Sequence, residues 1–268
     1  MKIGVIGAGR MGTWFANELL ESGHEVAVFD PDRTKGRLPG VETFDLIDGF
    51  SSYSPGMLVN AASLDKTIVA FESVMPFLPA DCMLCDVASI KSGLKEYYES
   101  TKKPFVSIHP MFGPTFSNLD VLKEENVIFI SESDPSGKLF WREMLAGYGL
   151  RMFEYSFEEH DRMMGYSLTT PFVSSLVFAA CMDSKAVPGS TFARHMRIAK
   201  GLLSEDDHLL SEILFNQFSL DQLDKITSRL EFLKHIIRGH DSDEMKKYLD
   251  KLRTNVGVPA QHGGLKKN

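Results

Sequence analysis

The chain has 268 residues, 43% of them hydrophobic and 24% charged, the make-up of a globular protein with room for two domains. Its formal net charge of -7 argues against a surface for nucleic acid or for an anionic membrane, either of which favours a basic face. Three cysteines, an odd number, suit a reducing compartment, and Met1-Lys2 runs into a strand with no leader pattern, so a cytoplasmic location is expected.

From the N-terminus, strand and helix alternate. A strand is predicted over 2–6, and a helix over 10–22 on the spacing of Met11, Phe15, Leu19 and Leu20. A second strand follows over 25–29. Short apolar runs at 57–61 and 83–87 read as buried parallel strands, with a helix over 65–77, ended by Pro79, between them. A helix over 90–100 leads to a strand over 104–108. A strand over 127–131, a helix over 136–146 and a strand over 150–155 complete the series. Repeated units of this kind predict an α/β fold, a doubly wound parallel sheet of Rossmann type. Cys82 and Cys85 fall in a strand and read as small core residues, so no metal is expected.

Near Ser156 the pattern changes. Ser156 and Glu159 match a capping box, and the rest of the chain reads as helical almost throughout. From His160 to Met182 the helix becomes apolar on nearly every side after Tyr166, as an interface helix would. The most apolar part, 171–182, is short for a bilayer span and holds Ser174 and Ser175, so no membrane contact is expected. Pro188-Gly189 marks a break. Ser219 with Gln222 caps a helix in which Leu220, Leu223, Ile226, Leu230, Leu233 and Ile237 recur at three- and four-residue steps. The expected organisation is a nucleotide-binding domain over 1–156, an all-helical substrate and dimerisation domain over 157–255 that makes a homodimer, and a disordered tail over 256–268.

Gly7-Ala8-Gly9-Arg10-Met11-Gly12 follows the first strand and opens the first helix. In such a turn the first glycine allows the tight bend. The second lets backbone approach a pyrophosphate, and the third allows close helix packing. Helix N–H groups then face the phosphates. Asp30 closes the second strand, where an acid receives a ribose 2′-hydroxyl. Gly7, Gly9, Arg10, Met11, Gly12 and Asp30 are therefore the candidate cofactor residues. Asp30 favours NAD over NADP, whose 2′-phosphate would meet its charge, although Arg33 lies close by.

Two further strand ends carry chemistry. His109 ends a predicted strand and opens His109-Pro110-Met111-Phe112-Gly113-Pro114; an imidazole there could manage a proton beside a nicotinamide ring. Ser89, in Asp86-Val87-Ala88-Ser89-Ile90-Lys91, could bond a substrate oxygen or the imidazole, or cap the helix after it.

The segments 86–91, 109–114, Glu159-His160-Asp161 and Met196-Arg197-Ile198-Ala199-Lys200, with the glycine turn, resemble the prephenate and arogenate dehydrogenases of tyrosine biosynthesis. The resemblance implies a Rossmann domain followed by a helical dimerisation domain. It also implies oxidative decarboxylation of a cyclohexadienol, prephenate to 4-hydroxyphenylpyruvate or arogenate to tyrosine. Hydride leaves for NAD, and His109 accepts the hydroxyl proton or a hydrogen bond from it. An ordinary imidazole pKa near 6.5 suits that work. Arg197 is the carboxylate clamp it implies, since a guanidinium fork matches a carboxylate; Arg194 and Lys200 flank it. His160 and Asp161 read as the start of the interdomain helix. The chain departs from the family at Thr115, where some members carry an acid, and at Phe172, where prephenate-using members often carry histidine. Other readings are a small hydroxy-acid dehydrogenase, which has no use for the 109–114 segment, and a nucleotide-sensing module without turnover.

Overall fold

Strands apolar on both faces need cover above and below. The computed structural model, which describes residues 1–112, 125–183, 187, 189–205 and 207–259, provides it. Eight strands form one sheet: β1 (Lys2–Ile6), β2 (Glu25–Phe29), β3 (Glu42–Phe44), β4 (Met57–Asn60), β5 (Met83–Asp86), β6 (Phe105–Pro110), β7 (Asn126–Ile130) and β8 (Arg151–Tyr155). Their spatial order is β3-β2-β1-β4-β5-β6-β7-β8. The chain starts at β1, moves out to β3, then returns to β4 on the other side of β1. A crevice opens at such a reversal, outside the carboxyl ends of the strands. All neighbours run parallel except β6 and β7, which are antiparallel.

Alternate residues feed two cores. Ile3, Val5, Val28, Cys85, Val106 and Ile108 pack with Trp14, Phe15, Leu19, Trp141 and Leu145 on one face. Ile6, Ala27, Leu58, Leu84 and Ile130 pack with Phe50, Phe71, Leu94, Tyr98 and Phe157 on the other. Cys82 belongs to the second core and Cys85 to the first, so the two thiols serve opposite faces. Burial pushes the Cys82 thiol up to about 12 and Cys85 well above the usual thiol range. Both are core residues, as read from the sequence.

Helix α1 (Arg10–Glu21) follows the glycine turn. Two elements were not anticipated, β3 and α2 (Gly49–Tyr53); three and five residues are too few to show a period. The helix expected over 65–77 is three pieces: a 3-10 turn, α3 (Thr67–Val74), and a second 3-10 turn over Met75–Phe77. Pro76, which has no N–H, breaks the ladder before Pro79 does. Helix α4 (Leu94–Thr101) starts four residues later than expected, after Gly93 as N-cap with φ 76. Lys91 causes the delay: its backbone N–H is committed to Asp161, and its ammonium to Asp86 and the Ile108 carbonyl. Helix α5 (Pro135–Leu145) is capped by Asp134, which accepts from the Ser136 and Gly137 amides.

Beyond β8 every described element is helical: α6 (Phe157–Ser167), α7 (Thr169–Ala180), α8 (Ser190–Leu202), α9 (Asp207–Leu214), α10 (Ser219–Gly239) and α11 (Ser242–Asn255). The capping box is formed in full, with the Glu159 amide donating to Ser156 Oγ and the Ser156 amide donating to Glu159. Ser219 does not act as the cap read from the sequence. It opens α10 itself, with its hydroxyl 2.8 Å from Thr169 Oγ1. The helical run Phe157–Ala180 ends two residues short of the expected limit at Met182. By length and composition it could cross a membrane. Its first half lies against β7 and β8 with His160 and Asp161 buried, which ties it to the sheet. Two compact units divide the chain, Met1–Ser219 and Leu220–Asn268. Within the second, Phe232 and Tyr248 join α10 to α11 edge to face, with ring centroids 5.3 Å apart. The expectations for Gly113, Pro114, Thr115, Pro188 and the tail beyond residue 259 lie outside the described residues.

Candidate active site

The glycine turn forms a cradle. Gly7 has φ 92, and a Cβ on it would lie 2.7 Å from the Ala61 backbone. A Cβ on Gly12 would come within 1.8 Å of the Gly7 carbonyl oxygen. Gly9 is different: a Cβ there meets nothing within 4 Å. Its backbone is the N-cap of α1, with no side-chain cap and no acid in the first turn. An open shelf in front of unpaired helix N–H groups fits a phosphate. Arg10 is exposed there and Met11 is half-buried against the first core. Asp30 reaches into the turn, accepting from the Ala8 amide at 2.6 Å and from the Asp32 amide at 2.8 Å. The residues present fit a dinucleotide, with the Asp30 carboxylate at the end of β2 bonded to the turn.

Register places His109 relative to this cradle. Ile6 of β1 is level with Asn60, Asn60 with Asp86, and Asp86 with Ser107 of β6. Three strand spacings carry Ser107 about 14 Å across the sheet, and His109 stands about 7 Å further along, past the end of β5. The ring therefore rises at the carboxyl edge, on the β4–β5–β6 side of the reversal. The strand does not end before it: His109 pairs with Ile128 and Pro110 with Val127, because β7 runs antiparallel and extends β6. Phe112 then packs edge to face on Trp14 of α1, with centroids 5.3 Å apart. The histidine strand is so fastened to the cradle helix.

A buried polar chain surrounds the imidazole. His109 is 6% exposed and His160 0%, and His109 Nδ1 lies 3.0 Å from His160 Nε2. His160 Nδ1 lies 3.0 Å from Asp161 Oδ1. Asp161 also accepts the Lys91 amide at 3.0 Å and the Ser92 hydroxyl at 3.2 Å, and its own carbonyl accepts from Asn216 at 3.0 Å. The Lys91 ammonium, wholly buried, donates to Asp86 Oδ1 at 2.5 Å and to the Ile108 carbonyl at 2.8 Å. Tyr98 donates to Asp86 Oδ2 at 2.7 Å.

Burial, then His160, then Lys91 hold His109 well below the ordinary imidazole range. His160 is also lowered, chiefly by burial, with Asp161 pulling the other way. Burial lowers Lys91 against the pull of Asp86. Burial, with Asp86, lifts the Tyr98 hydroxyl well above 10, so it stays a donor. Near neutral pH His109 is thus an uncharged imidazole, able to accept a hydrogen bond or a proton.

Ser89 is half-buried and does not cap α4, which begins beyond Gly93. Arg197, Lys200 and Arg194 all lie exposed on α8; among the described residues none is drawn into the His109 chain. Phe172 is half-buried on α7. Lys91, Asp86, Tyr98, His160 and Asp161 were not foreseen as partners of this site. The signal two of them leave in the sequence is an adjacent His-Asp pair just inside a capping box, which a helix start also carries.

Residues 16–132 match a family model described as prephenate dehydrogenase, nucleotide-binding domain. The chain is 30% identical over 161 residues to a T-protein of Enterobacter agglomerans, covering 60% of this chain and 39% of that one. It is 23% identical over 276 residues to a Methanocaldococcus jannaschii protein named "Probable arogenate/prephenate dehydrogenase", covering 96% and 61%. The chain thus spans less than two thirds of either relative. The crystal structure of prephenate dehydrogenase from A. aeolicus, in complex with hydroxyphenyl propionate and NAD+, superposes with TM-score 0.81 at 19% identity, covering 96% of this chain and 97% of that one.

Proposed function

We propose that the chain is a member of the prephenate/arogenate dehydrogenase family, as the match of residues 16–132 to that family's nucleotide-binding domain supports, and that it catalyses the NAD-dependent oxidative decarboxylation of prephenate to 4-hydroxyphenylpyruvate. The observation that carries this reading is the neutral, buried His109 at the carboxyl edge of β6, three strands from the glycine cradle. Gly7, Gly9, Gly12 and the first turn of α1, with Arg10 and Met11, hold the dinucleotide phosphates, and Asp30 selects the unphosphorylated ribose. Bound there, NAD supplies the hydride acceptor. His109 accepts the hydrogen of the ring hydroxyl as the hydride departs; positioned acid–base help of this kind is worth on the order of 10²–10⁴-fold. Burial of the imidazole excludes water from the proton it receives. Ser89, at the end of the neighbouring strand β5, offers its hydroxyl to the substrate. Arg197, with Lys200 one turn on, supplies the cation for a substrate carboxylate.

Arogenate, which would leave as tyrosine, is the second reading, favoured by Phe172 standing where prephenate-using members often carry histidine. The test is NADH formation with the two compounds side by side. Prephenate is expected to be the better substrate, and turnover of neither refutes the reading. His109→Asn is expected to lower kcat by at least 100-fold with NAD affinity unchanged; unaltered kcat removes His109 from the chemistry. Arg197→Ala is expected to raise KM and leave NAD binding intact, and a loss of NAD affinity would refute its assignment.

Residues 1–156 then serve the cofactor and 157–255 the substrate and a homodimer. Support for the dimer lies in apolar surface left uncovered on the helices: Ile198 is 62% and Phe215 81% exposed, and Leu220, Leu230 and Ile237 of the α10 seam lie open. Sedimentation equilibrium at micromolar protein is expected to give twice the chain mass; a monomer there refutes it.

A further inference from the structure

Asp161 decides where the ring hydrogens of His160 and His109 sit. Its carboxylate has none to give, so its three neighbours must donate. The Lys91 amide and the Ser92 hydroxyl do so at 3.0 and 3.2 Å, and His160 Nδ1, at 3.0 Å, must carry its hydrogen there. Nε2 of a neutral His160 is then a bare lone pair facing His109 Nδ1 at 3.0 Å. That contact is a hydrogen bond only if His109 carries its hydrogen on Nδ1. Its Nε2 is left bare. One carboxylate dictates, through two rings, which nitrogen of His109 can accept a proton.

We propose that His160, held by Asp161, is the positioning residue of His109 and the temporary store of the substrate's proton. The inference rests on the reading of His109 as the acceptor of the ring hydroxyl. As the hydride leaves the carbinol carbon for the nicotinamide ring of the bound dinucleotide, the O–H bond breaks and its electron pair becomes the carbonyl π bond. The proton bonds to His109 Nε2, and the His109 Nδ1 hydrogen passes to His160 Nε2. His109 ends neutral with its hydrogen on the other nitrogen; His160 ends as an imidazolium paired with the Asp161 carboxylate. When CO₂ departs, its bonding electrons enter the ring and the carbonyl oxygen becomes a phenolate. The proton then returns by the same two steps and completes the phenol.

The charges around the rings favour this direction. The groups that face them are Lys91 and Asp86, at and after the end of β5, and Asp161 on α6. Lys91 opposes a positive charge on either ring. The two carboxylates oppose it on neither, and both favour it on His160. Burial alone would make each imidazolium costly, so the one that forms belongs beside the carboxylate.

The test reads the tautomers directly, by ¹H–¹⁵N correlation spectra of the whole chain labelled in histidine. Both His109 and His160 are expected to carry hydrogen on Nδ1. In Asp161→Asn the carbonyl oxygen stays where the Lys91 amide and His160 Nδ1 both donate to it, and the side-chain amide turns to the Ser92 hydroxyl. Both tautomers are expected to hold, while an imidazolium on His160 loses its counter-charge and kcat is expected to fall on the order of 10²–10⁴-fold with little change in KM or NAD affinity. In His160→Gln the amide oxygen can still take the His109 hydrogen, so the His109 tautomer is expected to hold while kcat falls at least tenfold. Hydrogen on His109 Nε2 in the wild-type chain overturns the proposal, as does wild-type kcat in His160→Gln. Where a variant does not fold, the wild-type spectrum alone decides. These spectra need no substrate, so a chain that oxidised neither prephenate nor arogenate would refute the proposed activity and still leave the tautomers to be judged.

Discussion

Replacing Lys91 by methionine removes a charge from a fully buried place while keeping the bulk of the side chain. Lys91 Nζ and Asp86 Oδ1 are 2.5 Å apart, with both side chains fully buried. Without the ammonium, Asp86 keeps the Tyr98 hydroxyl and the Ala88 amide as donors, and the Ile108 carbonyl loses its partner. Breaking one half of a buried pair costs about 3–5 kcal/mol, since the remaining charge has no counter-ion. Set against a whole stability of about 5–15 kcal/mol, the loss is large. At about 2–4 °C per kcal/mol for a domain of this size, Tm should fall by about 6–20 °C. Urea titration followed by circular dichroism gives the same loss in free energy. The double variant Asp86→Asn with Lys91→Met should recover most of it, because removing both charges removes both desolvation costs. A single variant within about 1 kcal/mol of wild type, or a double variant less stable than the single, would show that the pair does not carry this stability.

Acid should loosen the fold through the same histidines. Both rings have lowered native pKa values, so as pH falls below about 6.5 the unfolded chain binds protons that the native rings refuse. The stability they contribute is complete above about pH 6.5 and is lost below it, at up to about 1.4 kcal/mol per pH unit for each ring. The loss in wild type minus that in His160→Gln, read from urea titrations between about pH 7.5 and about pH 5.5, gives the part owed to His160, its own ring together with its hold on His109, and equal slopes would contradict a lowered native pKa for His160. The glycines of the cradle separate folding from binding. Gly12→Ala places a methyl against the Gly7 carbonyl and should cost about 1–3 kcal/mol as well as NAD affinity, whereas Gly9→Ala meets nothing and should lose NAD affinity at unchanged Tm. Titration calorimetry with NAD beside thermal melts distinguishes them; an unchanged affinity in Gly9→Ala would mean that no phosphate rests on that shelf. Asp30→Ser should raise the kcat/KM ratio of NADP over NAD at least tenfold, and an unmoved ratio would show that Asp30 does not select the ribose.

The sheet was legible because its central strands are buried on both sides. β1 and β2 fall at the predicted limits, and β4, β5, β7 and β8 within a residue of them. Periodicity cannot see pairing direction, so the reversal at β7 was hidden: Val127, Phe129 and Ile130 are as apolar in an antiparallel strand as in a parallel one. The early start expected for α4 came from reading Ser89 and Lys91 as local residues, when Lys91 is engaged by Asp161, 70 positions along the chain. The cradle was legible because its function lies in backbone and consecutive glycines. The His160–Asp161 arrangement was not, since a buried histidine at the start of a helix has the same local pattern whether or not a second ring waits across the core.

The reversal at β7 bears on how such a protein could change its substrate. On one side His109 and Pro110 are gripped by the β7 ladder; on the other, β5 has already ended at Asp86, level with Ser107. The imidazole thus has the β7 ladder as a wall on one flank and, on the other, the bend between Val87 and Ser92, whose Lys91 reaches the Ile108 carbonyl. Substitutions in that bend should redraw what can approach the ring, while substitutions in β7 weaken the wall without altering the choice of guest.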